Sequence, residues 1–407
     1  MNVEQIRALF PQLKQQVYGR ELVYLDNAAT SLRPASVLEK WREMSIRYNS
    51  NIHRAVHKTA VDATEEYESS RAAVAGFIGS SPEEIIFTSG TTHSINMLAV
   101  ILERSSFFSA GDEILVAESE HHSNIVPWQM LAERKNLVIK VLPISDKGEV
   151  VLSALPELLT PKTKLCCIAH ISNVLGIINP VEEISRLCHE NGTLVLVDGA
   201  QGIIHVPTDV KSIDCDFYAF SGHKMYAAPG TGVLYGKKHL LEKLPPYMGG
   251  GEMIDSVSWE KTTYAPVPRR FEAGTQNLSG VPTFKPAIEV CKLLRGREIE
   301  DNIKAIAVYL RAVLSSNPDI TIFGDPEDPE RKIPLFSFAV KGAHHEDLAL
   351  ILDKMGIATR SGQMCAEPLM DRFGVTGMLR ISFAPYNTMA EAEYFAECLQ
   401  KAINMLK

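Results

Sequence analysis

The sequence predicts an α/β chain in which a mostly parallel sheet, covered by helices on both faces, is followed by a smaller α+β region. Three observations predict it. From about Gly111, short β-rich runs alternate with amphipathic helical patterns, the alternation that builds parallel sheets. Past Gly280 the texture changes to long helical runs and isolated strands. The 407 residues also exceed what one hydrophobic core usually organises.

Taken in order, Ile85 to Thr88 reads as a strand, followed by a glycine turn and a helix through Leu102. The next strands are Glu113 to Ala117, Leu137 to Leu142, Lys164 to Ala169, Thr193 to Val197, Phe217 to Phe220 and Gly232 to Tyr235. Helical patterns such as Val181 to Glu190 separate them. Ligands of open α/β sheets collect at the carboxyl ends of strands, which groups His121, Asn173, Asp198 and Ser221 before any motif is considered. The Pro- and Gly-rich stretch Leu244 to Gly251, with the segment up to Arg270, interrupts the pattern and predicts a surface excursion. Phe284 to Leu294 and Ile299 to Ser315 then read as helices, Thr321 to Phe323 and Leu335 to Val340 as strands, and Met389 to Leu406 as a final helix.

Hydrophobic residues make up 45% and charged residues 22% of the chain, an ordinary globular composition. A formal net charge of -8 argues against a broad nucleic-acid-binding surface, which needs clustered Lys and Arg. No stretch approaches the roughly 20 apolar residues that cross a bilayer, and Met1 to Tyr18 lacks the pattern of a signal peptide. No membrane association is expected, and the cytoplasm is the expected compartment. Seven scattered cysteines without a Cys-x-x-Cys pair predict reduced thiols and no metal site.

The strongest chemical signal runs from Val195-Leu196-Val197-Asp198-Gly199-Ala200-Gln201 to Phe220-Ser221-Gly222-His223-Lys224. Pyridoxal phosphate needs an amine for its imine, a carboxylate that keeps its ring nitrogen protonated, and donors for a dianionic phosphate. Lys224, Asp198, and Ser221 with His223 offer those three functions. A lone Asp or Lys would more often be structural or solvated; it is the joint pattern that points to a cofactor. Ser89-Gly90-Thr91-Thr92 opens a helix whose free N–H groups and dipole suit an anion, with the Thr91 and Thr92 hydroxyls as further donors. The plain alternative there is a helix cap.

Together these residues resemble the class V aminotransferase superfamily of fold-type I pyridoxal phosphate enzymes, and within it the Suf-type (group II) cysteine desulfurases. The ordered matches are Tyr24-Leu25-Asp26-Asn27-Ala28-Ala29, Asn51-Ile52-His53-Arg54, Glu120-His121-His122, Ser172-Asn173-Val174-Leu175-Gly176, Asp198-Gly199-Ala200-Gln201, Ser221-Gly222-His223-Lys224 and Phe271-Glu272-Ala273-Gly274-Thr275. Arg360-Ser361-Gly362-Gln363-Met364-Cys365-Ala366-Glu367-Pro368-Leu369 looks like the short cysteine loop of the Suf type. The resemblance implies a seven-stranded, mostly parallel sheet. It also implies an N-terminal segment 1–20 packing with the small domain, a large cofactor domain 21–283, and a small C-terminal domain 284–407 carrying the catalytic cysteine.

By similarity, His121 stacks on the cofactor ring and helps move protons, a role suited to an imidazole. Asn173 and Gln201 hydrogen-bond the cofactor oxygen or substrate; loop satisfaction is the alternative. Arg380, inside the apolar run Met378 to Phe383, needs a partner for its charge, and its planar fork fits a substrate carboxylate. An internal ion pair is the other reading. Arg360 assists near the cysteine loop, and Ala28 borders the substrate. Thr275 reaches the phosphate of an opposing subunit and His53 with Arg54 lies near the shared site, so a homodimer with shared active sites is expected.

Cys365 decides the reaction, because removing sulfur from cysteine needs a nucleophile beside the substrate sulfur. Most single cysteines are core hydrophobes, as Cys166 and Cys167 are expected to be. Gln363-Met364 stands where many relatives carry a histidine before the cysteine, and Ala227-Ala228-Pro229 replaces a Gly-Pro, predicting a modest rearrangement of that turn without loss of the cofactor. The implied activity converts L-cysteine to L-alanine with a persulfide on Cys365. An accessory protein of the Suf type collects the sulfur for iron–sulfur cluster assembly. Selenocysteine lyase or cysteine sulfinate desulfinase activity would use the same residues; an aminotransferase or a non-catalytic scaffold fits them less well.

Overall fold

The structure, a computed structural model, describes residues 1–326 and 328–407. Seven strands form the main sheet: β1 (Ile85–Thr88), β2 (Glu113–Ala117), β3 (Val138–Leu142), β4 (Thr163–Ala169), β5 (Leu194–Asp198), β6 (Phe217–Ser221) and β7 (Gly232–Gly236). Their spatial order is β1-β7-β6-β5-β4-β2-β3. Neighbours from β6 through β3 run parallel, and β7 alone is antiparallel to both of its neighbours. Each parallel connection crosses over through helix, as such pairing requires.

The interior strands are apolar on both faces because each face meets its own helical layer. Cys166 and Ile168 of β4 and Val195 and Val197 of β5 join one core cluster, which includes Tyr67 and Val74 of the helix Lys58–Phe77. Leu165, Cys167 and Leu196 face the other cluster, with Leu98 and Leu102 of the helix Thr91–Arg104 and Trp128 and Leu131 of the helix Val126–Lys135. Cys166 and Cys167 are fully buried packing residues, as expected.

A second, antiparallel sheet contains β8 (Ile320–Phe323), β9 (Leu335–Val340), β10 (Arg360–Gly362) and β11 (Met378–Ser382), in the order β8-β9-β11-β10. It packs with the helices Arg297–Ser316, His345–Lys354 and Met389–Leu406 around its own apolar cluster. The N-terminal chain joins both halves. Val23–Tyr24 pairs with Ile357–Ala358, Arg7 donates to Glu391 at 2.8 Å, and the Phe10 ring packs on Tyr226 and Tyr386. The excursion after Leu244 carries a short exposed hairpin, Ile254–Val257 with Thr262–Tyr264.

Candidate active site

The carboxyl ends of the parallel strands, the segment 28–29 and the loop after β10 enclose a cavity of about 200 Å³. It collects Ala28, Thr91, Thr92, His121, Asn173, Asp198, Gln201, Ser221, His223, Lys224, Arg360, Cys365 and Arg380, thirteen of the sixteen residues singled out in the sequence. Thr275, His53 and Arg54 lie outside it.

The phosphate-type donors form where β1 and β6 end. The helix Thr91–Arg104 begins at Gly90, whose φ of 152° suits glycine. A Cβ on Gly232 of β7 would lie 2.4 Å from the Gly90 Cα, so glycine here lets the helix start close against the sheet. Ser221 Oγ accepts from Thr91 N at 2.8 Å and lies 2.8 Å from Thr91 Oγ1. The turn after β6 brings His223 and Lys224 alongside. The His223 carbonyl accepts from Ser31 Oγ at 2.9 Å, and its ring nitrogen Nδ1 is 3.1 Å from Thr30 Oγ1. The Ala227-Ala228 turn is tightly held: Ala227 N donates to Gly222 O at 2.9 Å and Ala228 N to Thr283 Oγ1 at 3.0 Å.

Burial sets the charges. Desolvation lowers the Lys224 amine to about 8, reinforced by the Arg380 and Arg360 charges and opposed by Asp198 and Cys365. Asp198 is raised by burial, against the pull of the Ala200 N–H and Lys224. His121 is lowered to about 4, by burial first and then by Lys224, so its imidazole is neutral; its Nδ1 accepts from Ser123 N at 3.0 Å. His223 is likewise lowered to about 4, mainly by burial. Behind the site, Glu120 is fully buried and raised to about 8 by desolvation. It accepts from Ala169 N at 2.6 Å and Asn124 Nδ2 at 2.7 Å, tying β2 to β4 just before His121.

Arg380 is 2% exposed and forms an internal ion pair, the alternative weighed for it in the sequence. Its Nη2 donates to Asp26 Oδ1 at 3.0 Å and its Nη1 to Asn173 O at 2.8 Å, while Nε, also buried, has no partner among the described residues. Arg360 sits directly opposite on β10. Two like charges across a ladder repel, and an anion between them would relieve that. The amides are partly occupied by the framework: Gln201 Nε2 donates to Ala28 O at 2.7 Å and Asn173 Nδ2 to Met364 O at 2.9 Å.

Cys365 is the exposed member of seven free cysteines; the other six are buried. Met364 and Cys365 both take left-handed backbone, with φ of 54° and 57°, although neither is glycine. The sequence offers no histidine immediately before this cysteine, yet His122, distant in the chain, lies against its loop. The structure sets His122 against the loop: its N–H donates to Cys365 O at 2.7 Å, and its Nε2 accepts from Glu367 N at 2.9 Å. Its place in Glu120-His121-His122, beside a strand end, was the available signal.

Thr275 is exposed, and its loop is anchored through Glu272, which takes Arg71 Nη1 at 2.7 Å, Arg71 Nη2 at 2.8 Å and Phe87 N at 2.7 Å. Arg54 Nε lies 3.0 Å from Glu252 Oε1, and His53 Nε2 lies 2.9 Å from Glu68 Oε1.

A buried carboxylate that forms no ion pair among the described residues, an amine held near neutrality and a hydroxyl-lined helix start fit the three ends of pyridoxal phosphate. Fold and cavity together define a pyridoxal-phosphate-dependent enzyme of fold type I. The chain matches the family Aminotransferase class-V over residues 23–395, and it belongs to that family. It is 43% identical over 407 residues to a probable cysteine desulfurase of Vibrio cholerae, covering 100% of both chains. It is 41% identical over 406 residues to a cysteine desulfurase of Dickeya dadantii, covering 99% of this chain and 97% of that one. Among solved structures it resembles the Escherichia coli cysteine desulfurase CsdA in an S-sulfonic acid form (TM-score 0.90, 37% identity, 100% of both chains). It also resembles an apo cysteine desulfurase of Thermococcus onnurineus (TM-score 0.91, 34% identity, 97% of this chain and 98% of that one).

Proposed function

We propose that this protein is a cysteine desulfurase that converts L-cysteine to L-alanine and carries the sulfur as a persulfide on Cys365. One observation bears most of the weight: the exposed thiol shares a single cavity with Lys224, Asp198 and Arg380. An aminotransferase needs no thiol there.

In this reading Lys224, Asp198, Ser221, His223, Thr91, Thr92, His121, Asn173 and Gln201 hold pyridoxal phosphate, which when bound supplies an electron sink for the substrate α-carbon. Arg380 takes the substrate carboxylate through its unpartnered Nε side, with Arg360 assisting. Lys224, whose amine is held near neutrality, accepts the α-proton at Nζ and returns it. Neutral His121 can hold or pass a proton at Nε2, because Nδ1 is occupied as an acceptor. The Cys365 thiolate attacks the substrate sulfur: an S–S bond forms, the substrate Cβ–S bond breaks, and its electron pair stays on the carbon fragment. Protonation of that fragment at Cβ completes alanine.

The short loop between Arg360 and Pro368 supports placement with the Suf type, and with it an accessory protein that takes the sulfur for iron–sulfur assembly in the cytoplasm. The exposure of Thr275 and its separation from the cavity support a homodimer in which it, His53 and Arg54 complete the partner's site. The two separate sheets support a division into a segment 1–20, a large domain 21–283 and a small domain 284–407. The test incubates wild type and Cys365→Ala with L-cysteine and measures alanine and sulfide. The wild type should release both and the variant almost none; equal release removes the thiol from the reaction.

A further inference from the structure

Resting on that reading, we infer that His122 is a positioning residue that sets where the Cys365 sulfur sits. Three features carry the inference. First, the loop is in a conformation its residues disfavour. Met364 and Cys365 adopt consecutive left-handed backbone, which non-glycine residues hold only where surrounding contacts enforce it. Second, the enforcing contacts come from outside the loop. Asn173 Nδ2 donates to Met364 O at 2.9 Å, the His122 N–H to Cys365 O at 2.7 Å, and Glu367 N to His122 Nε2 at 2.9 Å. Third, the helix Glu367–Phe373 starts without a side-chain cap of its own, since Ala366 at its N-cap has no side-chain oxygen. The His122 ring supplies the missing acceptor from a segment 245 positions away.

His122 therefore holds the cysteine at two points, its own carbonyl through the His122 backbone N–H and the following helix through the ring. It does not line the cavity itself, so it acts through Cys365. Its neighbour His121 does line the cavity, and the rigid dipeptide fixes the spacing between the proton-handling imidazole and the nucleophile. Only a neutral ring can accept from Glu367 N; a leucine of similar bulk cannot, whereas a glutamine carbonyl can.

The test compares wild type, His122→Leu and His122→Gln as holoenzymes. Single-turnover persulfide formation on Cys365 from L-cysteine should fall about tenfold or more in the leucine variant, because small misplacements of reacting groups are costly. It should recover to within about threefold in the glutamine variant. KM, and the change in cofactor absorbance on adding L-alanine, which has no sulfur, should stay near wild type in both. The alkylation rate of Cys365 by iodoacetamide, followed by mass spectrometry, should shift in the leucine variant and return in the glutamine variant. Equal rates in all three proteins overturn the inference, as does a glutamine variant as slow as leucine or a parallel loss of the L-alanine response. Wild type that makes no alanine from cysteine sinks the functional reading instead, and the alkylation rates then decide the role of His122 alone.

Discussion

Replacing Arg380 with lysine keeps the charge and removes the fork. In the structure Nη1 and Nη2 are each committed to the framework, at 2.8 Å to Asn173 O and 3.0 Å to Asp26 Oδ1, and Nε is buried without a partner among the described residues. A substrate carboxylate meeting the guanidinium edge gains two charge-assisted hydrogen bonds, each worth about 1.5–3 kcal/mol, of which a single ammonium restores roughly one. The expected net loss is about 2–3 kcal/mol, or roughly 30- to 150-fold in kcat/KM for L-cysteine. The deficit should fall mainly on KM, since carboxylate binding is made equally in ground and transition states. Steady-state alanine production over a range of L-cysteine concentrations measures it, with cofactor absorbance as a check that the site is filled. A kcat/KM within threefold of wild type, with normal cofactor content, would refute the assignment and leave Arg380 as an internal ion pair with Asp26.

The low value at Lys224 predicts a pH dependence with a definite sign. With its amine lowered to about 8, about a tenth is unprotonated at pH 7, against less than one in a thousand for an ordinary lysine. Cofactor capture by apoprotein should rise with pH and level off above about 8; a rate still climbing tenfold per unit to pH 10 contradicts the desolvated site. Gly232→Ala puts a Cβ 2.4 Å from the Gly90 backbone, so the helix start must retreat, with a stability loss of about 1–3 kcal/mol and weaker cofactor retention. Thermal unfolding and cofactor titration read both effects, and an unchanged midpoint would show that the close approach is not needed.

The main sheet was legible because its interior strands are apolar on both faces, giving short continuous runs between helical patterns. Edges slipped by about one residue where polar groups continue the ladder. Thr193 to Val197 was expected, yet the strand is Leu194–Asp198, because Asp198 still pairs with Ala169 and Ala219. Lys224, Asp198, Arg380 and Cys365 were legible because each brings a chemistry that its local pattern does not require. Asp26, Glu120 and His122 were not singled out, since their roles exist only through partners distant in sequence. Asp26 meets Arg380 across 354 positions, and Glu120 receives Ala169 N across 49. Asn173 and Gln201 line the cavity, but their amides bond the framework, the loop satisfaction that was the alternative to cofactor binding.

If Cys365 carries the sulfur as proposed, the seam between the two sheets limits where it can be collected. β11 is fastened to the N-terminal chain by Ser382 N donating to Leu25 O at 2.8 Å and Asn27 Nδ2 donating to Ser382 O at 2.7 Å. Arg380 crosses the same seam to Asp26 and Asn173. The strand bearing Arg360 is laddered to β11, and the loop beyond it is held by Asn173 and His122. Moving Cys365 outward would break the Asn173 and His122 bonds to its loop and release two left-handed residues from the contacts that enforce them. The sulfur's freedom then reduces to rotation about the cysteine side chain, among a few staggered positions within a couple of ångströms of one another. On the proposed reading, an acceptor thiol would therefore have to enter to meet the persulfide, and sulfur transfer should depend on a thiol small or extended enough to reach the cavity.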